Sequence, residues 1–197
     1  MDAAGNLYGL TGDGGVGQGT AYELSPKNKQ YVATALYDFC HVGNCEDGLL
    51  PLGRLTLDAK GNLFGATENG GLPGSDGILF KLVPKGENSR QTVLYDFCSE
   101  DNCTDGADPN GDLAMDADGD LFGSAFTEGA NHNGAIFKFS NGKEQVLYPF
   151  CSVGDRCSDG SAPAGSVITD AAGNIFGTTS AGGTGVPASG TVFELTP

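Results

Sequence analysis

The sequence predicts an all-β fold built from one repeated four-stranded antiparallel unit, about three and a half units in 197 residues. Three observations predict it. One octapeptide recurs four times. The segments around it read as short strands bounded by turn residues. A proline falls inside the last strand of one copy.

The octapeptide sets the period. Asp2-Ala-Ala-Gly-Asn-Leu-Tyr-Gly9 returns at Asp58–Gly65, Asp116–Gly123 and Asp170–Gly177, with starts 56, 58 and 54 residues apart. Self-similarity at such a period marks a repeat architecture. The copies span roughly 1–52 (partial), 53–110, 111–164 and 165–197 (partial), within one repeat domain over 1–197.

Four strands per copy follow. Strand A is predicted at Arg54–Asp58, Asp112–Asp116 and Ser166–Asp170. Strand B is predicted at Leu7–Thr11, Leu63–Thr67, Leu121–Ala125 and Ile175–Thr179. Strand C is predicted at Thr20–Leu24, Ile78–Leu82, Ala135–Phe139 and Thr191–Leu195, and strand D at Thr34–Phe39, Thr92–Phe97 and Gln145–Phe150. All are rich in β-branched and aromatic residues, and no segment sustains a helical period. Asp58-Ala-Lys-Gly61 predicts a type I turn, with Asp accepting local backbone bonds and Gly left-handed, closing the A–B hairpin. Pro149 lacks a ladder donor, which places strand D at the sheet edge and A innermost. A repeated antiparallel unit with one outer edge is a blade, so the predicted class is a β-propeller. The first copy lacks strand A and the last lacks D. Unpaired edges recruit other chains. The chain is therefore expected to self-associate, through whole partial sheets rather than shared strands, unless further repeats complete the ring.

The run Asp-Ala-x-Gly-Asn-Leu-Phe-Gly, a glycine-rich loop, Gly-x-x-Phe-x-Leu-x-Pro and Val-Leu-Tyr-x-Phe resembles the GloVer-type tandem repeat over nearly the whole chain. The resemblance implies a propeller and an extracellular setting. It brings no catalytic residues.

Composition narrows the partners. A net charge of −15, from 25 acidic and 10 basic residues, repels nucleic acid and anionic lipid. It suits cations, neutral glycans or basic partners. No apolar run approaches the ~20 residues of a membrane span, and the first residues lack the pattern of a signal peptide. The six cysteines form close pairs at matched positions: Cys40/Cys45, Cys98/Cys103 and Cys151/Cys157. Local disulfides are predicted ahead of zinc sites, since His41 and His132 are the only histidines. Disulfides imply an oxidising compartment, secreted or at the cell surface.

Blade topology gathers the B–C loops and D–A crossings on one face. That face collects Asp13, Glu46, Glu68, Asp76, Glu100, Asp101, Asp108, Glu128 and Asp155, while most lysines fall opposite. Asp47, Asp105 and Asp159, each in an Asp-Gly before strand A, have two readings. They form a carboxylate ring for Ca²⁺, which takes ~6–8 oxygen ligands, or they simply turn the chain. Asp116, Asp118 and Asp120 form a second calcium candidate, with turn chemistry as the alternative. Arg54 and Asp112 start strand A, with Ser166 third; they bind a polar ligand or pair between blades. His132 on a B–C loop is a further ligand-binding candidate. Neither Gly-x-Ser-x-Gly nor His-Glu-x-x-His occurs. The expected function is a module binding a glycan, cation or protein through its acidic loop face. The alternative is a calcium-dependent propeller hydrolase of a lactone or ester, the metal polarising the carbonyl.

Overall fold

The computed structural model describes every residue except 16–17, 87, 155 and 186–188. Among the described residues, fourteen strands form four antiparallel sheets, each in chain order. Sheet one holds β1 (Leu7–Thr11), β2 (Thr20–Lys27) and β3 (Gln30–Asp38). Sheet two holds β4 (Leu49–Leu57), β5 (Leu63–Asn69), β6 (Ile78–Val83) and β7 (Arg90–Asp96). Sheet three holds β8 (Ala114–Met115), β9 (Leu121–Ala125), β10 (Ala135–Ser140) and β11 (Lys143–Pro149). Sheet four holds β12 (Ile168–Thr169), β13 (Ile175–Thr178) and β14 (Val192–Leu195). The expected division into three, four, four and three strands is the observed one, with Pro149 on an edge strand.

The A–B turns form as their chemistry dictates. Asp58 Oδ1 accepts the N–H groups of Lys60 and Asn62 at 2.8 Å, its Oδ2 accepts the Asn62 amide, and Gly61 takes φ +82°. Two C–D hairpins close through residue pairs with positive φ, Asn28-Lys29 and Asn141-Gly142, the geometry that matches strand twist.

Two of the A strands are shorter than expected. The segments predicted at Asp112–Asp116 and Ser166–Asp170 keep only two ladder residues each. Gly111 and Gly165 lie where successive A segments nearly touch; a Cβ on Gly111 would sit 2.8 Å from the Gly165 oxygen. The ladder breaks there and resumes as single bridges, Ala107 to Thr127 and Ser161 to Ala181. In sheet two the same irregularity falls between Leu52 and Thr56.

The motif Leu-Tyr-x-Phe breaks strand alternation for a packing reason. A bulge between strands C and D recurs at Ala21/Tyr22, Leu79/Phe80 and Ile136/Phe137. It inserts one residue into strand D, so Leu94, Tyr95 and Phe97 all pack toward sheet three. Each D-strand Phe then meets an aromatic of the next sheet. Phe39–Phe80, Phe97–Phe137 and Phe150–Phe193 lie 5.0, 4.9 and 5.1 Å apart between ring centroids, a distance that favours tilted aromatic pairs. Glycine in strand B makes the space: a Cβ on Gly65, Gly123 or Gly177 would lie within 2.7 Å of Phe80, Phe137 or Phe193. Three apolar layers of this kind separate the four sheets. Thr56 Oγ1 donates to the Leu113 carbonyl at 2.6 Å and Ser124 Oγ to that of Gly165 at 3.0 Å, tying successive sheets along their A sides. Strand D lies at the other edge.

Candidate functional site on the long-loop face

The antiparallel order brings the B–C loops and the D–A crossings to one end of every sheet. Each crossing is built alike. The chain leaves strand D, turns at a cysteine with φ +60° (Cys40, Cys98, Cys151), and closes a disulfide: Cys40–Cys45, Cys98–Cys103 and Cys151–Cys157. The B–C loop of the next sheet pins the crossing. Gly71, Gly129 and Gly183 donate their N–H groups to the carbonyls of Cys45, Cys103 and Cys157 at 3.0, 2.9 and 2.8 Å.

The three Asp-Gly aspartates lie inside these crossings. Asp47 and Asp105 are buried. Each aspartate accepts a tyrosine hydroxyl from its own strand D: Tyr37 to Asp47 at 2.9 Å, Tyr95 to Asp105 at 2.8 Å, Tyr148 to Asp159 at 2.8 Å. Backbone N–H groups just past the first cysteine supply the rest, from His41 and Val42, Ser99 and Glu100, and Ser152 and Val153. Burial tends to raise the Asp159 carboxyl, but the Tyr148 hydroxyl and the backbone donors outweigh it and hold it low. Burial and then the Asp47 bond push the Tyr37 hydroxyl up. In this arrangement each carboxylate fastens its own crossing. Among the described residues, no three His, Cys, Asp or Glu side chains converge as a metal centre. His41 joins the first crossing in a way the sequence reading missed: its Nδ1 lies 3.0 Å from both Asp47 Oδ2 and the Asp38 carbonyl.

The other candidates sort into local partnerships. Asp116 Oδ1 accepts the N–H groups of Asp118 and Asp120 at 3.0 and 2.9 Å, the same turn seen at Asp58. Asp120 Oδ2 sits 2.6 Å from Lys138 Nζ, and Lys138 with Ser140 keeps its carboxyl low. Arg54, Asp112 and Ser166 do come together, across three sheets. Asp112 accepts the Arg54 backbone N–H at 2.6 Å and Nε at 2.9 Å, and its own N–H donates to Ser166 Oγ at 3.3 Å. This is the pairing between sheets. His132 Nδ1 faces Glu128 Oε2 at 2.5 Å on its own exposed loop.

A cleft of about 510 Å³ opens on this face. The loop segment Leu72-Pro73-Gly74-Ser75 forms one wall, and Leu94, Tyr95, Asp96, Cys98 and Ser99 form the floor and opposite wall. The Leu72 N–H donates to Asp96 Oδ1 at 2.9 Å and holds the loop over the floor. None of the sequence's ligand or metal candidates lines it; Cys98, half of a predicted disulfide, does. The available signal was Leu72-Pro73, an apolar pair within a Gly, Ser and Asp loop.

The matching family model covers residues 1–197. The chain belongs to the Gloeobacter/Verrucomicrobia repeat family. No curated protein matches it. All four copies of this Gloeobacter/Verrucomicrobia repeat protein thus fall within one family match, as the octapeptide period requires. Its loop face is crowded with acids: burial, then Asp108 and Glu128, push the Asp76 carboxyl up. Asp155 lies outside the described residues.

Proposed function

We propose that this repeat chain is a secreted, non-catalytic β-propeller module that binds a neutral glycan in the cleft beneath Leu72–Ser75. The observation that carries the reading is the cleft's chemistry. Leu94 and Tyr95 offer an apolar, half-buried floor, while Ser75, Asp96 and Ser99 offer polar groups above it. A sugar ring presents both an apolar C–H face and hydroxyls, and such sites combine apolar lining with a few placed polar groups. The cysteine crossing next to the cleft supplies rigidity, which limits the ordering cost of binding. A net charge of −15 disfavours anionic ligands.

Four sheets stacked in chain order, with A strands adjacent and D strands outermost, support the propeller reading. Three disulfides support an oxidising, extracellular setting, and among the described residues no helix is long and apolar enough to cross a membrane.

The test is a neutral-glycan array followed by calorimetry on the best ligand, with added calcium and with chelator. Leu72→Ala and Asp96→Asn are each expected to weaken binding about tenfold, or ~1.4 kcal/mol. Binding that ignores both substitutions, or no binding at all, overturns the reading. Turnover of a lactone or ester that chelation abolishes replaces it with the calcium-dependent hydrolase.

A further inference from the structure

Each internal junction has two halves: the trailing face of one sheet and the leading face of the next. The leading half is the same at all three junctions. Strand B contributes Leu63, Leu121 or Ile175, and strand C contributes Phe80, Phe137 or Phe193 followed by Leu82, Phe139 or Leu195. Sheet one carries the same set, with Leu7 paired to Leu24 and Gly9 paired to Tyr22 in the matching register. A Cβ on Gly9 would overlap the Tyr22 ring and hydroxyl, the packing seen at every other strand-B glycine of this motif. Among the described residues, no sheet covers that leading face.

Sheet four carries the other half, exposed. Phe176 holds the position of Phe64 and Phe122, which lie within the second and third layers. Val192 holds the position of the fully buried Leu79 and Ile136, yet is 84% exposed, and Ile168 is 65% exposed. The leading face of sheet one and the trailing face of sheet four are therefore the two halves of a junction that the chain builds three times within itself.

We propose that a second copy of this chain covers both faces, sheet four of each copy stacking head to tail on sheet one of the other to close eight sheets into one ring. The count of eight rests on the propeller reading; the head-to-tail contact rests on continuity with the internal junctions. Sheet four lacks strand D, so the new junction lacks the D-strand Phe and is weaker than the internal ones. The association is accordingly reversible and concentration-dependent.

Sedimentation velocity on the oxidised chain over a concentration series tests this. The expected mass is twice the 20.1 kDa of one chain at high concentration. Val192→Asp on the trailing face and Ala35→Asp on the leading face, where Ala35 pairs with Tyr22, are each expected to give monomers. Both positions are exposed, and an unchanged far-UV spectrum checks that each variant folds. Mixing the two variants restores a dimer, because one of its two junctions is then wild type on both sides. A monomer at every concentration overturns the proposal. So does a dimer that Ala35→Asp leaves intact, which would show pairing of trailing faces, and so does mass growing past two chains. Glycan binding by a monomer would leave the proposed function standing while this inference fails.

Discussion

Tyr95 and Asp105 show what one side-chain pair does for this fold. The buried carboxylate needs every donor around it, and the Tyr95 hydroxyl is one of them at 2.8 Å. Tyr95→Phe removes that donor and is expected to cost ~1–3 kcal/mol, measured by urea unfolding; Asp105→Ala should cost more, since it strands several donors. Glu144 is the opposite case. At the matched position in sheet two, Gln91 donates its amide to the Asp47 carbonyl at 3.3 Å. Glu144 has no such amide, and its Oε1 is buried without a hydrogen-bond partner. Burial, then Asp105 and Glu100, push its carboxyl up to about 8. The folded chain therefore holds a proton that the unfolded chain, titrating near ~4.3, has released. Stability contributed by that proton is present at low pH and falls as pH rises from ~4.3 to about 8. Glu144→Gln should flatten this slope and raise the melting temperature at pH 8 but not at pH 4. Equal slopes for both proteins would show that Glu144 does not carry the effect.

At the scale of elements, turns and bulges decide the register. Gly61 sits at φ +82° with nothing within 4 Å of the place a Cβ would take, so its role is backbone conformation alone. Gly61→Val should lose ~1–3 kcal/mol through strain, while Lys60→Ala should stay within ~0.5 kcal/mol; equal melting temperatures would refute the turn assignment. Gly123 is needed for space instead. A Cβ there would lie 2.5 Å from the Phe137 ring, so Gly123→Ala should cost ~1–3 kcal/mol by overpacking, read from the same melts. The A–B turn was legible because Asp and Gly act within a few residues of each other. The C–D bulge was not, because its purpose, turning Leu, Tyr and Phe to one side, concerns a neighbouring sheet.

At the scale of the whole molecule, the sheets form a linear series in which each apolar layer joins chain neighbours. Stability in such an array is approximately a sum of unit and junction terms. Phe97 lies in the second layer against Phe137. Phe97→Ala should cost ~3–5 kcal/mol and weaken the coupling between the two halves of the chain. Denaturant unfolding followed by two probes, one in each half, should then show separated transitions where the parent shows coincident ones. Coincident transitions in the variant would mean that the sheets are coupled by more than this layer.

Strand count, strand order, turns and cysteine pairing could all be read from the amino-acid sequence, since each depends on residues close in the chain and repeated three or four times. Strand β1 and strand β9 fall on the predicted residues for that reason. What the polar candidates do emerged only once the sheets were assembled. Asp47, Asp105 and Asp159 read as turn formers, with cation ligation as the rival, until the tyrosine of strand D was seen against each of them. Arg54 and Asp112, 58 residues apart, became one ion pair only when two sheets were brought together. The cleft under Leu72 likewise joins a loop to a strand more than twenty residues away. A carboxylate's role is set by the donors around it, and those donors arrive from elements that no local pattern brings into register.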